Sequence, residues 1–170
     1  GRARRSGDGA FRMVNASPRH LAGFSLIEVL IVVVILGILA AIVVPSFENM
    51  QRDGKAIAGA NIARSVQVKV DMYYTEHLQW PDTINPQWFG VDQIPANPFF
   101  PDHPITINYD DTAEKYHPIN KSYHGDGGYW YGTETGRFRV RVEAQETGEQ
   151  TLALYNLVNQ SNVQALSDTR

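Results

Sequence analysis

Apolar residues are distributed unevenly along this chain. Residues 24–44 form a continuous apolar block broken only by Ser25 and Glu28. At the rise of an α-helix this block reaches roughly 30 Å, enough to span a bilayer. Its many β-branched Val and Ile residues would weaken a helix in water. In lipid, where every backbone N–H and C=O must be paired within the segment, helix is the outcome all the same. Beyond Pro45 the block gives way to a stripe: Phe47, Met50, Ile57, Ile62, Val66, Val70 and Tyr73, mostly three to five residues apart. Arg52, Asp53, Lys55, Arg64, Lys69 and Asp71 lie between them and suit a water-facing side. The pattern predicts one helix from about residue 24 to about residue 76. Such a rod would be roughly 80 Å long, too long for a small globule to bury, so its first half must find lipid or neighbours.

From Gln79 the texture changes to Pro, Asn, Asp and aromatics, and Pro81, Pro86, Pro95, Pro98, Pro101 and Pro104 forbid regular helix. A packed loop is expected here. Short strands are expected at residues 105–109, 129–131 and 138–142. In the last of these, Phe138, Val140 and Val142 should point inward, with Arg139 and Arg141 outward. A turn at 132–136, bounded by Gly132 and Gly136, should join the second and third strands as a hairpin. The prediction is a small antiparallel sheet against the upper helix, an α+β fold. Residues 151–170 have loosely helical apolar spacing but carry Asn156, Asn159 and Asn162, so a strand, then a helix, then a frayed tail is expected.

Charge separates the two ends of the chain. Residues 1–23 hold Arg2, Arg4, Arg5, Arg12 and Arg19 against Asp8, a net of +4. The remainder has ten Lys or Arg against seventeen Asp or Glu, a net of −7. Positive charge directly before an apolar block keeps that flank in the cytoplasm and sends the other across. The expected placement is a single-pass protein of the inner, cytoplasmic membrane with its C-terminal part outside the cytoplasm. Cysteine is absent, which excludes disulfides and thiolate metal sites. The sequence begins at Gly1. A start at Met13, leaving an eleven-residue leader, is a further expectation.

The junction Gly23-Phe24-Ser25-Leu26-Ile27-Glu28, followed by the apolar run, resembles the prepilin signature of type IV pilins and type II secretion pseudopilins. The resemblance implies a type IV pilin-like fold, a long N-terminal helix with a small head. It implies cleavage of the Gly23–Phe24 bond by a prepilin peptidase, N-methylation of Phe24, and assembly roles for Glu28 and for the helix-bending Pro45. Glycine before the cut leaves no Cβ in the way of a protease approaching the backbone. An ionisable group inside a membrane segment costs about 2.5 to 3.5 kcal/mol on insertion scales and calls for a partner. The resemblance supplies one: the Phe24 amine of a neighbouring copy, released by cleavage, in a helical filament of copies of this chain. Gly37, Ala40 and Ala41 would allow close helix approach. The expected division is a leader at 1–23, a transmembrane and assembly helix at 24–44, its amphipathic continuation at 45–76, and a globular head at 77–170. Beyond the peptidase, the implied partners are the lipid bilayer and an inner-membrane assembly platform with its ATPase.

Two plainer origins for the apolar block are a secretory signal peptide and an ordinary membrane anchor. The first calls for a shorter core with its cleavage site after it, and neither explains Glu28. In the head, the segment 94–99 and the Gly128-Tyr-Trp-Tyr run resemble the proline loop and terminal hairpin of major pseudopilins, with Ala96 and Phe99 departing from that pattern. Pro95 and Pro98 also read simply as fixing a loop over the sheet. Asp126, with Asp110, Asp111 and Glu114 upstream, is the candidate for a calcium site, which that resemblance also implies; no other cofactor is expected. No phosphate-binding loop or zinc-type histidine spacing occurs, so the chain is neither the assembly motor nor, on this reading, an enzyme. Its negative charge after residue 23 argues against binding nucleic acid alone. A filament subunit is the expected function. The alternatives are a minor or DNA-uptake pilin with a ligand-binding head, and a membrane-anchored enzyme or sensor.

Overall fold

The computed structural model describes residues 23–90, 93–123, 125 and 127–170; side chains at 44–46 and 48–49 are not described. The chain divides into two compact units, Gly1–Val43 and Val44–Arg170. Helix α1, Leu26–His77, contributes to both.

In the first unit α1 opens on Ser25, whose carbonyl accepts from the N–H groups of Glu28 (3.0 Å) and Val29 (3.2 Å). The stretch Leu26–Val43 is long and apolar enough to cross a membrane, and none of it is buried within the chain.

The second unit joins the rest of α1 to a three-stranded sheet and a second helix. Its strands are β1 (Ile107–Asp110), β2 (Tyr129–Gly132) and β3 (Arg137–Val140), in spatial order β1-β2-β3. Helix α2 spans Gly148–Asn159. The hairpin is as expected, with β2 and β3 antiparallel and Tyr129 opposite Val140. The expectation of a wholly antiparallel sheet does not hold: β1 runs parallel to β2, with Ile107 opposite Tyr129. Residues 111–128 provide a crossover longer than the dozen residues a parallel pairing needs.

The buried face of α1 also departs from the expected stripe. Val66 and Val70 are in the core, but Phe47, Met50 and Ile57 are exposed, while Ala56 and Ala63 are buried. The reason is proximity. A Cβ on Gly59 would lie 3.1 Å from both Phe99 and Val158, so small residues let the loop and α2 press against the helix. Tyr129, Tyr131, Phe138, Val140 and Val142 from the sheet region complete the core with Leu154, Tyr155 and Val158 of α2. Each fully buried valine contributes roughly 1.5 to 3 kcal/mol.

The C-terminal segment forms a capped helix where a strand was expected first. Thr147 and Gln150 cap α2 reciprocally, at 3.2 and 3.3 Å. Asn156 and Asn159, poor helix formers, are retained for tertiary bonds. Asn156 holds both main-chain groups of Val163, at 3.0 and 2.9 Å. The proline loop is pinned by the buried Asn97, which donates to the carbonyls of Gly128 (2.7 Å) and Arg141 (2.9 Å). Gly136 closes the hairpin turn at φ 64, with the Trp80 indole filling the space a Cβ would take.

Candidate processing and assembly site

The expected cleavage junction lies in the open. Gly23 and Phe24 precede α1; Phe24 is 80% exposed, and among the described residues nothing lies within 4 Å of a Cβ placed on Gly23. Glu28 follows in the first turn of α1, at the positive end of the helix dipole, exposed and with no ion-pair partner among the described residues. Gly37 is equally open, with nothing within 4 Å of a Cβ placed there, and Ala40 and Ala41 are exposed beside the apolar side chains. Pro45 lies inside α1 rather than at its end, so it has no N–H to offer the carbonyl of Ala41 one turn before it.

Asp126, the candidate calcium ligand, lies outside the described residues, as does His124. Two of the three acids expected to join it are engaged elsewhere. Asp110 pairs with Lys115 at 2.5 Å and accepts from Thr112 N–H (3.0 Å) and the Trp130 indole (3.3 Å). Burial raises its pKa, but these bonds outweigh that and hold it at about 2. Glu114 pairs with Arg170 at 2.7 Å. Among the described residues no group of three or more His, Asp and Glu could hold a metal.

The head instead encloses a cationic cluster that the sequence did not announce. Arg141, expected to face outward, is buried, donating to the carbonyls of Asn120 (3.0 Å) and Gly127 (2.9 Å). Arg139, also expected outward, is half-buried. Residues 117–121 lie against these outward-facing arginines, so both serve as donors under that cover. His117 Nδ1 faces two donors, Arg139 Nε at 3.2 Å and the Tyr155 hydroxyl at 3.0 Å. It therefore accepts, and burial with Arg139, Lys121 and Arg137 nearby lowers its pKa to about 3. The Lys121 ammonium, almost fully buried, donates to the carbonyls of Pro118 (3.0 Å) and Asp168 and lies 5.6 Å from the Tyr155 ring centre. The carbonyl of Thr169 accepts from the N–H groups of Tyr116 (2.8 Å) and His117 (3.1 Å), so the C-terminal residues form part of the same structure. A lysine and two arginines at these positions look solvated in a sequence; only the fold brings carbonyls to them.

Residues 19–44 match the prokaryotic N-terminal methylation motif. Beyond the motif, the chain is 32% identical over 97 residues to the type II secretion system core protein G of Pseudomonas aeruginosa, covering 57% of this chain and 66% of the relative. It is 32% identical over 88 residues to the core protein G of Escherichia coli K12, covering 51% and 56%. It is 35% identical over 75 residues to a type IV major pilin protein of Neisseria gonorrhoeae, covering 44% of each. The chain thus spans less than two thirds of the length of each of these relatives. No solved structure matches it. An open Gly-Phe junction, an acid in the first turn of α1 and a motif match over that same stretch agree: the chain carries the prokaryotic N-terminal methylation motif and is similar to type II secretion core proteins G and to type IV major pilins.

Proposed function

We propose that this chain is a structural subunit of a type IV pilus-like filament or a type II secretion pseudopilus. A prepilin peptidase cuts between Gly23 and Phe24, Phe24 is N-methylated, and the subunit assembles through its N-terminal helix. The observation that carries the reading is Glu28: a carboxylate on the otherwise apolar stretch Leu26–Val43 of α1, none of which is buried within the chain. Before assembly lipid covers that surface. In a filament the helices of other copies replace the lipid, and the carboxylate of one copy meets the Phe24 ammonium of the next. Pairing offsets the desolvation of both charges and fixes the axial register. Pro45, which removes a hydrogen bond from the helix, is the bending point as subunits leave the bilayer.

The single apolar helix fits an anchored protein with its head outward, at the inner membrane before assembly and in a periplasmic or extracellular filament after it. The assembly platform and its ATPase would be its partners there. A minor or DNA-uptake pilin is distinguished by copy number, since a main subunit dominates sheared filaments and a tip protein is a trace.

Mass spectrometry of the membrane-extracted protein should find an N-methylated Phe24 terminus. Glu28→Leu should still be cleaved but should fail to polymerise. A correctly trimmed Glu28→Leu chain that assembles like its parent would overturn the pairing.

A further inference from the structure

The head unit is electrostatically lopsided. A cleft of about 350 Å³ between α1, β3 and the end of α2 is lined by Arg64, Arg137 and Arg139, with Asp71 as its one acid. None of these arginines is in an ion pair among the described residues. Arg137 lies over the Tyr116 ring at 5.9 Å, Arg139 bonds His117 and the carbonyl of Phe138, and Asp71 accepts from Gln67 at 3.0 Å. Charge there is +2, on a chain that is −7 after residue 23.

The matching negative charge lies elsewhere on the same unit. Glu143 and Glu146 precede α2 and Glu149 lies in its first turn, and Gln145 and Gln150 of this segment line a groove with Asp53. Lys55 pairs with Glu143 at 3.2 Å, and Arg52 donates to Gln145 at 3.4 Å. Four acids against two bases leave −2, and Glu146 and Glu149 are exposed with no ion pair among the described residues. These contacts fix the acidic segment at the level of residues 52–55 of α1, whereas the cleft sits at residues 60–71. At 1.5 Å per residue the two levels differ by roughly 20 Å along the helix.

We propose that the arginine cleft receives the acidic 143–149 segment of a second copy of this chain. The two patches differ in position and have opposite sign, so the contact is head-to-tail: each copy keeps a free cleft and a free acidic segment. Such contacts propagate into open helical assemblies rather than closed dimers. The proposal rests on the filament reading and names a contact surface in the head for it. Opposite charges at a polar rim mainly select partner and register, so the cleft would add a second constraint, in the head, to the stagger that the Glu28–Phe24 pairing sets in the helices.

The absence of cysteine gives a clean test. Two differently tagged full-length chains, one Arg64→Cys and the other Glu146→Cys, are co-expressed in the native host and the sheared filaments treated with a short thiol crosslinker. A mixed-tag dimer is expected. The control pair Arg64→Cys with Glu134→Cys should give none, and filaments that form without the mixed dimer, or with as much in the control, overturn the proposal. In parallel, Arg64→Glu with Arg137→Glu should lower filament yield about tenfold, and adding Glu146→Arg with Glu149→Arg should restore it. Unchanged yield in the first pair also overturns the proposal. Circular dichroism of the detergent-extracted chains verifies that the exposed substitutions leave the fold intact. If the unsubstituted chain makes no filaments, the subunit reading itself fails and the cleft contact falls with it.

Discussion

Asn159 reaches from α2 to the outer edge of β3 and holds both main-chain groups of Val140, accepting from its N–H at 2.8 Å and donating to its carbonyl at 2.9 Å. Gln67 of α1 does the same one step along, accepting from Phe138 N–H at 3.0 Å and donating to the carbonyl of Gly136 at 2.9 Å. Two side-chain amides thus take the place of a neighbouring strand. They deny this sheet edge to other chains, a hazard for a protein expected to be crowded among its own copies.

Asn159→Ala should therefore be costly. Asn159 and Val140 are both buried, so the substitution strands two main-chain groups away from water. At about 1 to 3 kcal/mol for each unsatisfied group, a loss of roughly 2 to 6 kcal/mol is expected in denaturant titrations of the extracted protein. Gln67→Ala, at a half-buried site that water can reach, should lose less. Equal midpoints for Asn159→Ala and the parent would contradict the capping role.

Stability should also fall in mild acid because of His117. Its pKa is 6.5 in the unfolded chain and about 3 in the fold, so the folded state resists taking up the proton. The contribution is complete above pH 6.5 and is lost as pH falls toward 3, with a slope of at most about 1.4 kcal/mol per pH unit. Asp110 titrates lower, from 3.8 to about 2, so its contribution falls below the interval between pH 6.5 and about 4 in which His117 acts. His117→Gln keeps an acceptor for Arg139 and Tyr155 and should flatten the curve in that interval. A variant with the parent's slope would assign the acid sensitivity elsewhere.

Leu78 ends α1 in a left-handed conformation, φ 56, with its N–H bonded to Tyr74 O at 2.7 Å and its side chain 79% exposed. A branched side chain there costs about 1 to 2 kcal/mol, with little burial in return. Leu78→Gly should stabilise the protein by about 0.5 to 1 kcal/mol once glycine's extra freedom in the unfolded chain is counted. A lower melting temperature would show instead that the leucine makes a contact worth more than the strain.

Features of the fold that depend on local pattern were legible in the residues themselves. The α1 helix was, because its apolar block and later stripe are long. The β2–β3 hairpin was, because Gly132 and Gly136 bracket a turn between alternating residues. The junction at Gly23–Phe24 and the acid at position 28 can be proposed from the residues because their chemistry is local, and the structure adds that Phe24 and Glu28 are exposed. Features set by distant partners were not. Ala56, Gly59 and Ala63 carry little hydrophobic signal, yet they face the core because the loop and α2 approach them closely. The parallel placement of β1 depends on a crossover whose path no short pattern encodes. The burial of Arg141 and Lys121 depends on carbonyls delivered by loops far along the chain.

Lys121 draws its acceptors in part from Asp168, and the backbone at Tyr116 and His117 draws one from Thr169. Removing residues 168–170 would leave an ammonium and two amide hydrogens enclosed without these acceptors. Reporter fusions and epitope tags are therefore better inserted at an exposed site such as Glu134 in the hairpin turn than gained by trimming the carboxyl end. A defect in a trimmed variant would report a loosened head rather than a lost docking signal.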